Sequence, residues 1–527
     1  MAGWVTRMLS AAGSYDELVR DFRWDIPDRL NMARQACDDW ALTEPGRVAI
    51  IDMTGETRRD VTYAELRRLS DGLARELSKT VKAGDRVGVL RTQSVWTAAA
   101  HIAVWKLGAI SIPLFKLFAR DALETRLKDA AAAIVVTDID SRGLVESLGF
   151  NTLVPEELAL SDHPFDTAET GSEDPAVMIY TSGTTGSPKG ALHGHRVLTG
   201  HLPGVEMSHD RLGQAGDVIW TPADWAWIGG LFDVLMPGLA LGVPVVASRA
   251  DKFSPAQVSE LVSSAGIRNV FFPPTALRML KAANVSVTGL RTIGSGGEPL
   301  GAEMQAWGRK AFGIEINEFY GQTECNMIAS SAGSMFSPAP GCIGKPVPGH
   351  ELAVLDDDGQ PTDEEGDIAV KRGSASMMLG YWNRPEQTAE KFHGDWMLTG
   401  DRGIWQGDYL RFFGREDDVI TSAGYRIGPA EIEDCLLKHD AVATVGVVGK
   451  PDDMRTEIVK AYVVLKDGFE ATDRLAAELQ GFVKERLAKY SYPREIGFLD
   501  ALPMTVTGKV IRKELKRRAT AEMEGSK

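Results

Sequence analysis

The N-terminal part of the chain alternates short apolar runs with segments of helical periodicity. The apolar runs predict strands at 48–51, 87–90, 132–137, 243–247 and 270–272. The predicted helices begin at Tyr63, near residue 95, at Pro255 and at Thr275. Because strands that alternate with helices indicate βαβ units, the pattern predicts a largely parallel sheet.

The pattern changes after about residue 340. Short apolar–polar strands with Asp/Gly turns follow at 351–360, 366–373 and 409–415, as in an antiparallel β subdomain. After residues 415–418 the order helix, strand, strand, helix indicates a compact α+β tail. The predicted fold class is therefore α/β. A large N-terminal domain of stacked βαβ sheets occupies residues 1–416, with the β subdomain at about 340–416, and a small α+β C-terminal domain occupies 417–527.

Composition and charge indicate a soluble, enzyme-sized protein. Of the 527 residues, 44% are hydrophobic and 25% are charged, and the net charge of −15 argues against nucleic acid or an anionic membrane as the main partner. Four widely spaced cysteines predict free thiols of a reducing compartment: Cys37, Cys325, Cys342 and Cys435. Residues 1–24 lack the pattern of a signal peptide, and no apolar run reaches the roughly 20 residues that span a bilayer. We expect a cytoplasmic protein.

Residues 180–190 (YTSGTTGSPKG) have the composition of a polyphosphate-binding loop. Glycines allow close backbone approach, hydroxyls and turn amides donate hydrogen bonds, and Lys189 offsets negative charge. The segment differs from the common nucleotide P-loop because Gly190, not serine or threonine, follows the lysine. The apolar run 174–180 predicts a buried strand before the loop. A flexible surface loop is the alternative for the same composition.

This loop resembles the phosphate-binding loop of the adenylate-forming superfamily, which includes acyl-CoA synthetases, peptide-synthetase adenylation domains and luciferases. The resemblance assigns ATP binding to Thr181, Ser182, Gly183, Thr184, Thr185, Gly186 and Lys189.

Residues 318–324 (EFYGQTE) resemble a second segment of that superfamily. In that segment of the family the aromatic ring stacks on adenine, the threonine contacts phosphate and the glutamate helps to hold Mg²⁺. The resemblance assigns these roles to Tyr320, Thr323 and Glu324. The other ATP-binding residues implied in this segment are Glu318, Phe319, Gly321 and Gln322. The alternative is an amphipathic turn with an ordinary exposed glutamate.

Two further segments follow in the order of the family. Residues 294–299 (GSGGEP) resemble the adenine-side wall, although a glycine cluster after a strand is as often a plain turn. The wall residues implied are Gly296, Gly297 and Glu298. The resemblance assigns Asp401 to the ribose hydroxyls and Arg415 to ribose or phosphate, since a carboxylate accepts two O–H bonds and a guanidinium offers a planar fork.

Residues 503–512 (PMTVTGKVIR) resemble the C-terminal lysine motif of the family. The resemblance implies that Lys509 enters the site only during adenylation, where a cation stabilises charge on the α-phosphate and the attacking carboxylate. The implied catalytic residues are Lys509, Thr181 and Glu324. Asp417 stands at the position of the hinge about which the small domain of the family rotates, and a solvated acidic turn is the alternative.

The thiol acceptor is indicated by residues near the C-terminal domain. Residues 423–426 resemble the turn that lines a pantetheine tunnel, which assigns CoA binding to Ala423, Gly424, Tyr425 and Arg426. Arg455 and Lys484 stand where medium-chain acyl-CoA synthetases contact the CoA nucleotide. Each of these two cations, taken alone, is more often an ordinary surface residue.

The acyl pocket is predicted from three positions. Gly321 replaces the tryptophan with which acetyl-CoA synthetases close their pocket, so the sequence predicts room for a longer or bulkier tail. Leu117 and Trp227 align with acyl-lining positions of the medium-chain family. Trp225 and Trp227 are alternatively core aromatics.

The resemblance covers roughly residues 40–515 and is closest to short- and medium-chain acyl-CoA synthetases. It implies activation of a carboxylate by Mg·ATP to acyl-AMP, with release of pyrophosphate, and then transfer to CoA with release of AMP, a reaction of fatty acid metabolism. The expected partners are ATP, a carboxylic acid and CoA, without nucleic acid or membrane insertion, and a homo-oligomer is left open. The alternatives are an aryl-CoA ligase, an acyl-AMP ligase that loads a carrier protein and, more remotely, a non-catalytic acyl or nucleotide sensor.

Overall fold

The computed structural model describes residues 7–10, 13–181, 188–248, 253–415, 418–422, 425–452, 455–487, 491–505 and 509–524. Its helices are α1 (Tyr15–Asp21), α2 (Asp39–Thr43), α3 (Tyr63–Leu77), α4 (Val95–Lys106), α5 (Arg120–Asp129), α6 (Ile139–Ser147), α7 (Val197–Ser208), α8 (Ile228–Gly230), α9 (Met236–Ala240), α10 (Pro255–Ala265), α11 (Pro274–Ala282), α12 (Ala302–Phe312), α13 (Pro385–Ala389), α14 (Pro429–Leu437), α15 (Asp473–Arg486) and α16 (Arg512–Glu524). Single π-helical turns precede α2 at Arg34–Asp38 and join α8 to α9 at Leu231–Leu235, and a 3₁₀ turn lies at Pro155–Glu157.

The strands of the N-terminal part are β1 (Val48–Met53), β2 (Arg59–Thr62), β3 (Arg86–Leu90), β4 (Ile110–Leu114), β5 (Ile134–Thr137), β6 (Thr152–Leu153), β7 (Pro175–Thr181), β8 (Lys189–Gly194), β9 (Ile219–Trp220), β10 (Val245–Ser248), β11 (Asn269–Phe271), β12 (Thr292–Gly296), β13 (Ile316–Gln322), β14 (Cys325–Ser330) and β15 (Lys345–Pro346). The later strands are β16 (Leu352–Leu355), β17 (Gly366–Lys371), β18 (Gly380–Tyr381), β19 (Phe392–His393), β20 (Trp396–Gln406), β21 (Tyr409–Arg415), β22 (Ile420–Ser422), β23 (Tyr425–Ile427), β24 (Val442–Asp452), β25 (Thr456–Leu465) and β26 (Glu495–Phe498).

Two large sheets form the body of the N-terminal domain. Sheet 1 has the strand order β15-β14-β13-β12-β11-β9-β10-β1-β2. Within it the six consecutive neighbours β13, β12, β11, β9, β10 and β1 pair in parallel. Sheet 2 has the order β18-β8-β7-β4-β3-β5-β6. Its five consecutive neighbours β7, β4, β3, β5 and β6 also pair in parallel. The predicted parallel βαβ architecture is confirmed, and the antiparallel strands lie at the sheet edges.

Two smaller sheets complete the fold. Sheet 3 has the order β16-β17-β20-β19 with β21 beside β20, and its pairs are antiparallel, as the pattern after residue 340 predicts. Sheet 4 has the order β23-β22-β25-β24 with β26 beside β25. Helices α14 and α16 pack on β24. The chain thus consists of a large N-terminal domain and a smaller α+β C-terminal domain, as predicted.

Local sequence signals explain several of these elements. The helix predicted from Tyr63 is α3, and Thr62 caps it by accepting a hydrogen bond from the Glu65 amide. Helix α10 ends at Gly266, which has the left-handed conformation that favours glycine. The polar segment around Gln322 is not an isolated turn but the end of a hairpin of β13 and β14.

The main core lies between sheets 1 and 2 and fixes their relative position. Its buried residues come from both sheets, for example Ile50 of β1 and Val177 of β7. Trp105 of α4 is fully buried there, and its indole donates a 2.9 Å hydrogen bond to the Ala176 carbonyl. Because protein interiors are close-packed, this core holds the edges of the two sheets in one arrangement.

Two further expectations concern the whole chain. None of the four cysteines forms a disulfide, as predicted, and all four are buried. Among the residues that the structure describes, no helix combines the length and the apolar character needed to cross a membrane.

Candidate active site

The predicted phosphate loop joins two antiparallel strands of sheet 2. Strand β7 ends at Thr181 and β8 begins at Lys189, and these two residues pair in register. The loop residues Ser182, Gly183, Thr184, Thr185 and Gly186 lie outside the described residues. The buried strand predicted before the loop is present, and the pairing places Thr181 beside Lys189 at the base of the loop.

A tyrosine that was not predicted connects Lys189 to Glu324. Tyr381 lies in β18, next to β8, and its hydroxyl donates a hydrogen bond to Glu324 Oε1. The Lys189 ammonium lies 5.1 Å from the centroid of the Tyr381 ring. Burial and the charge of Glu324 raise the pKa of the Tyr381 hydroxyl, so it remains a donor at neutral pH. The lysine of sheet 2 predicted to bind phosphate and the glutamate of sheet 1 predicted to bind magnesium therefore contact the same side chain.

Asp401 is the centre of a second cluster. It is only 5% exposed, and it accepts hydrogen bonds from the Tyr320 hydroxyl and, at 2.7 Å, from the Gln322 amide. Arg415 Nε lies 3.5 Å from the other carboxylate oxygen. Burial raises the pKa of Asp401, while the charge of Arg415 and the two hydrogen bonds act in the opposite direction. Three residues predicted separately, Tyr320, Asp401 and Arg415, are thus in contact.

Lys391 is a further cation of this region that was not predicted. Its ammonium donates to the carbonyls of Leu398 at 3.1 Å and Thr399 at 3.3 Å, and the Thr399 carbonyl also accepts from Gln322 at 2.8 Å. Burial lowers the pKa of Lys391, and the charges of Glu324 and Asp401 partly offset that effect. No motif marks this lysine, because a single lysine before a short strand resembles any surface cation.

Close contacts require glycine at positions 296 and 297, the two glycines of the predicted adenine-side wall. A Cβ on Gly296 would lie 2.6 Å from Phe319 Cδ2, closer still to Cε2, and 2.7 Å from the Phe319 carbonyl oxygen. Gly297 has φ of +95°, and a Cβ there would lie 2.9 Å from the Trp227 ring. Phe319 itself is buried in the core behind this wall.

Glu318 and Glu298 stabilise this wall through side-chain contacts. The Glu318 carboxylate is 6% exposed and accepts from the Leu300 amide at 2.9 Å and the Gln305 amide at 3.2 Å. Glu298 pairs with Arg278 at 2.9 Å. Burial raises the pKa of Glu318 to about 7, against the effect of its two hydrogen bonds. The direct ATP contact predicted for Glu318 stays a prediction; in this structure it holds the wall segment.

Lys509 lies against the same wall. Its ammonium is 5.4 Å from the centroid of the Trp227 ring and would be 4.0 Å from a Cβ on Gly297. Burial lowers the pKa of Lys509, and the charges of Glu298 and Asp401 partly offset this. The structure therefore has the predicted adenylating lysine inside the site rather than on the surface.

The acyl-pocket residues are placed in three different environments. Trp227 lies at the site, next to Phe271 at 6.3 Å between ring centroids, whereas Trp225 is fully buried in the main core. Leu117 is 67% exposed in the turn after β4, and its place in the acyl pocket stays a prediction.

Gly321 does not leave open space in the direction of a side chain. A Cβ there would lie 2.5 Å from Asn326 Oδ1 and 2.7 Å from Asn326 Cα, because Gly321 lies at an irregularity of the β13–β14 pairing. The predicted free volume at this position is therefore filled by the neighbouring strand.

The predicted CoA and hinge residues lie in or beside the C-terminal domain. Arg455 precedes β25, and its amide donates to Asp452, while the Lys484 ammonium lies 5.4 Å from the Tyr492 ring centroid. Tyr425 and Arg426 begin β23. Asp417, Ala423 and Gly424 lie outside the described residues.

The site offers Mg²⁺ a single well-placed carboxylate. Among the described residues, no group of three or more His, Cys, Asp or Glu could hold a metal ion without other ligands. Glu324 uses one oxygen to accept the Tyr381 hydrogen bond, and a carboxylate has a second oxygen for a cation. One carboxylate combined with substrate phosphates and water is how Mg²⁺ is usually bound, so the donor set fits this ion.

Glu318 should make stability depend on pH. Because its folded pKa of about 7 exceeds the ordinary value of 4.5, its contribution to stability is complete below pH 4.5 and is lost as the pH rises through 7. Between these limits, wild type should lose up to about 3 kcal/mol relative to Glu318→Gln, measured as the free energy of unfolding in urea. Glu315→Gln, a partly exposed neighbour paired with Arg309, is the control and should follow wild type. Parallel curves for all three proteins would contradict the assignment.

Comparison with known proteins agrees with this geometry. Residues 37–382 match the family of AMP-binding enzymes, and residues 431–509 match the AMP-binding enzyme C-terminal domain. The chain is 34% identical to the acetyl-coenzyme A synthetase of Bacillus subtilis, over 95% of this chain and 94% of that protein. Among solved structures, an acyl-CoA synthetase of Brucella canis is 31% identical, with a TM-score of 0.73 over 98% of this chain and 100% of that one. A benzoate CoA ligase of Burkholderia xenovorans is 28% identical, with a TM-score of 0.81 over 92% and 99%. The chain belongs to the AMP-binding, adenylate-forming enzyme family.

Proposed function

We propose that the protein is an ATP-dependent acid–CoA ligase that activates a short- or medium-chain carboxylate. The observation that carries the proposal is the position of Lys509, which lies against Trp227 and the Gly297 wall while Lys189 and Glu324 meet at Tyr381. Similarity to acetyl-CoA and acyl-CoA synthetases supports the reaction class.

In the first half-reaction the substrate carboxylate attacks the α-phosphorus of ATP, which gives acyl-AMP and pyrophosphate. No protein base is needed, because a carboxylate is ionised at neutral pH. Lys509 supplies positive charge where the α-phosphate and the incoming carboxylate meet, and Lys189 binds the phosphates together with Thr181. Glu324 would hold Mg²⁺, which offsets phosphate charge when it is bound.

The nucleoside end of ATP is assigned to the cluster around Asp401. A carboxylate accepts two O–H bonds at once, which suits the ribose diol, and Arg415 is 3.5 Å from the same carboxylate. The Tyr320 hydroxyl donates to the same carboxylate, and we assign the Tyr320 ring to adenine. Lys391 adds a fixed positive charge near the phosphates.

In the second half-reaction the CoA sulfur attacks the acyl carbonyl and AMP leaves. We propose that the small domain rotates about Asp417, which withdraws Lys509 and admits CoA past Ala423–Arg426. Arg455 and Lys484 would then contact the CoA nucleotide. Such rotations are usually absorbed by a few linker residues.

The proposed acid is apolar and of limited length. Trp227 and Phe271 offer an apolar surface beside Lys509, whereas the volume next to Gly321 is filled by Asn326. Apolar pockets discriminate one methylene by only about 1–3 kcal/mol, so several chain lengths should react. An aryl acid is the second candidate, because the fold is shared with a benzoate CoA ligase. We further propose a cytoplasmic enzyme whose partners are these small molecules.

Lys509→Ala should separate the two half-reactions. Loss of the cation should slow acid-dependent pyrophosphate release about 10²- to 10³-fold, while conversion of supplied acyl-AMP and CoA to thioester continues. Lys513→Ala, which removes an exposed cation four residues later, is the matched control and should leave both steps unchanged. Equal loss of both half-reactions in Lys509→Ala would contradict the proposed role.

The acid and the acceptor can be determined in one assay. Pyrophosphate release is measured with straight-chain C2 to C12, branched and aromatic acids, each with CoA, with phosphopantetheine or with neither. Turnover that depends on CoA and peaks between C3 and C8 is expected. Full rates with phosphopantetheine would favour a carrier-loading ligase, and activity confined to one aromatic acid would favour an aryl-CoA ligase.

A further inference from the structure

The C-terminal domain contacts the N-terminal domain at the beginning of α12. Asp434, on α14 of the small domain, lies directly over Gly301, the residue that precedes α12. A Cβ on Gly301 would collide with this carboxylate, since it would lie 3.0 Å from Asp434 Cγ and closer still to Oδ1. Gly301 has φ of +81°, so both its conformation and the approach of Asp434 favour glycine.

Two electrostatic effects act on this contact in opposite directions: the start of α12 attracts the carboxylate, whereas Asp434 and Glu318 repel each other, which adds to the raised pKa of Glu318. The first turn of a helix has unpaired amide groups and a partial positive charge, and both attract a carboxylate. Gly301 provides no side-chain cap for α12. Asp434 therefore brings a carboxylate from the other domain against Gly301, the residue that precedes the first turn of α12. The other oxygen of Asp434 pairs at 2.9 Å with Lys438, at the C-terminal end of α14.

A charge of the N-terminal domain, Arg278, also acts on the small domain beside Asp434. Glu433, next to Asp434, is bound by Arg512 at 2.7 Å and by the Val447 amide at 2.7 Å. Burial raises the pKa of Glu433, and the charge of Arg278 from α11 opposes that effect together with Arg512. Arg278 also pairs with Glu298 of the wall. The wall that faces Lys509 is thus linked electrostatically to the start of α14.

We propose that Asp434 is a positioning residue for adenylation: its carboxylate docks on the first turn of α12 and holds the small domain so that Lys509 stays in the site. The inference rests on the proposed function, because it assigns Asp434 to one of two half-reactions. Asp434 contacts neither Lys509 nor Trp227 in this structure and acts through the orientation of its domain. When the docked orientation loses stability, the rate of any step that requires it falls with its population.

The test compares Asp434→Ala and Asp434→Asn with Asp440→Ala. Asp440 is an exposed acid of the same domain, so its variant matches the charge change without touching α12. Acid-dependent pyrophosphate release should fall about three- to tenfold in Asp434→Ala and less in Asp434→Asn, which keeps a hydrogen-bond acceptor. Formation of thioester from supplied acyl-AMP and CoA should stay constant or rise. A parallel loss of both half-reactions, or no loss of either, would overturn the proposal.

A second readout does not require turnover. Lysine acylation by a small amine-reactive reagent, followed by mass spectrometry, reports how accessible Lys509 is relative to the exposed Lys371. The ratio of Lys509 to Lys371 labelling should rise in Asp434→Ala and stay at the wild-type value in Asp440→Ala. An unchanged ratio in Asp434→Ala would overturn the positioning role. If wild type releases no pyrophosphate with any acid, the proposed function fails, and the labelling ratio still decides whether Asp434 docks the domain.

Discussion

The hydrogen bond from Tyr381 to Glu324 joins the two halves of the site. Tyr381 belongs to the edge of sheet 2, and Glu324 lies between β13 and β14 of sheet 1. Lys189 stands over the same ring, so one aromatic side chain fixes both a cation and an anion. Since the buried core between the sheets prevents them from sliding, this contact sets the distance between the groups assigned to phosphate and to Mg²⁺.

Burial makes the charged forms of two lysines in the site unfavourable. Lys391 and Lys509 both have lowered pKa values because burial penalises their charged forms. An anionic substrate relieves that penalty, and its attraction to the cations is stronger in a poorly hydrated site than in water. The charges of nearby carboxylates partly offset the effect of burial, Glu324 and Asp401 at Lys391 and Glu298 and Asp401 at Lys509. The same arrangement that makes the lysines unfavourable alone makes them effective for a polyphosphate.

Many elements of the fold and many motif residues could be predicted from the sequence, but the contacts between side chains of different strands could not. Alternating apolar and helical segments were enough for the parallel sheets, and helices such as α3 and α10 begin where expected. Motif residues such as Lys189 and Asp401 were recognisable because each stands in a patterned segment. Tyr381 and Lys391 were missed since their roles depend on which strands become neighbours. The free volume expected at Gly321 was misjudged for a related reason: free volume is a property of packing, not of the residue.

Transfer of an isotope from the acid to the nucleotide tests the central claim most directly. The enzyme is incubated with ATP, Mg²⁺, CoA and a carboxylic acid labelled with ¹⁸O in its carboxylate, and the products are analysed by mass spectrometry. Attack of the carboxylate on the α-phosphorus predicts that AMP leaves with one ¹⁸O atom and that pyrophosphate is unlabelled. Label in inorganic phosphate together with ADP, or AMP without label, would contradict an acyl-AMP intermediate.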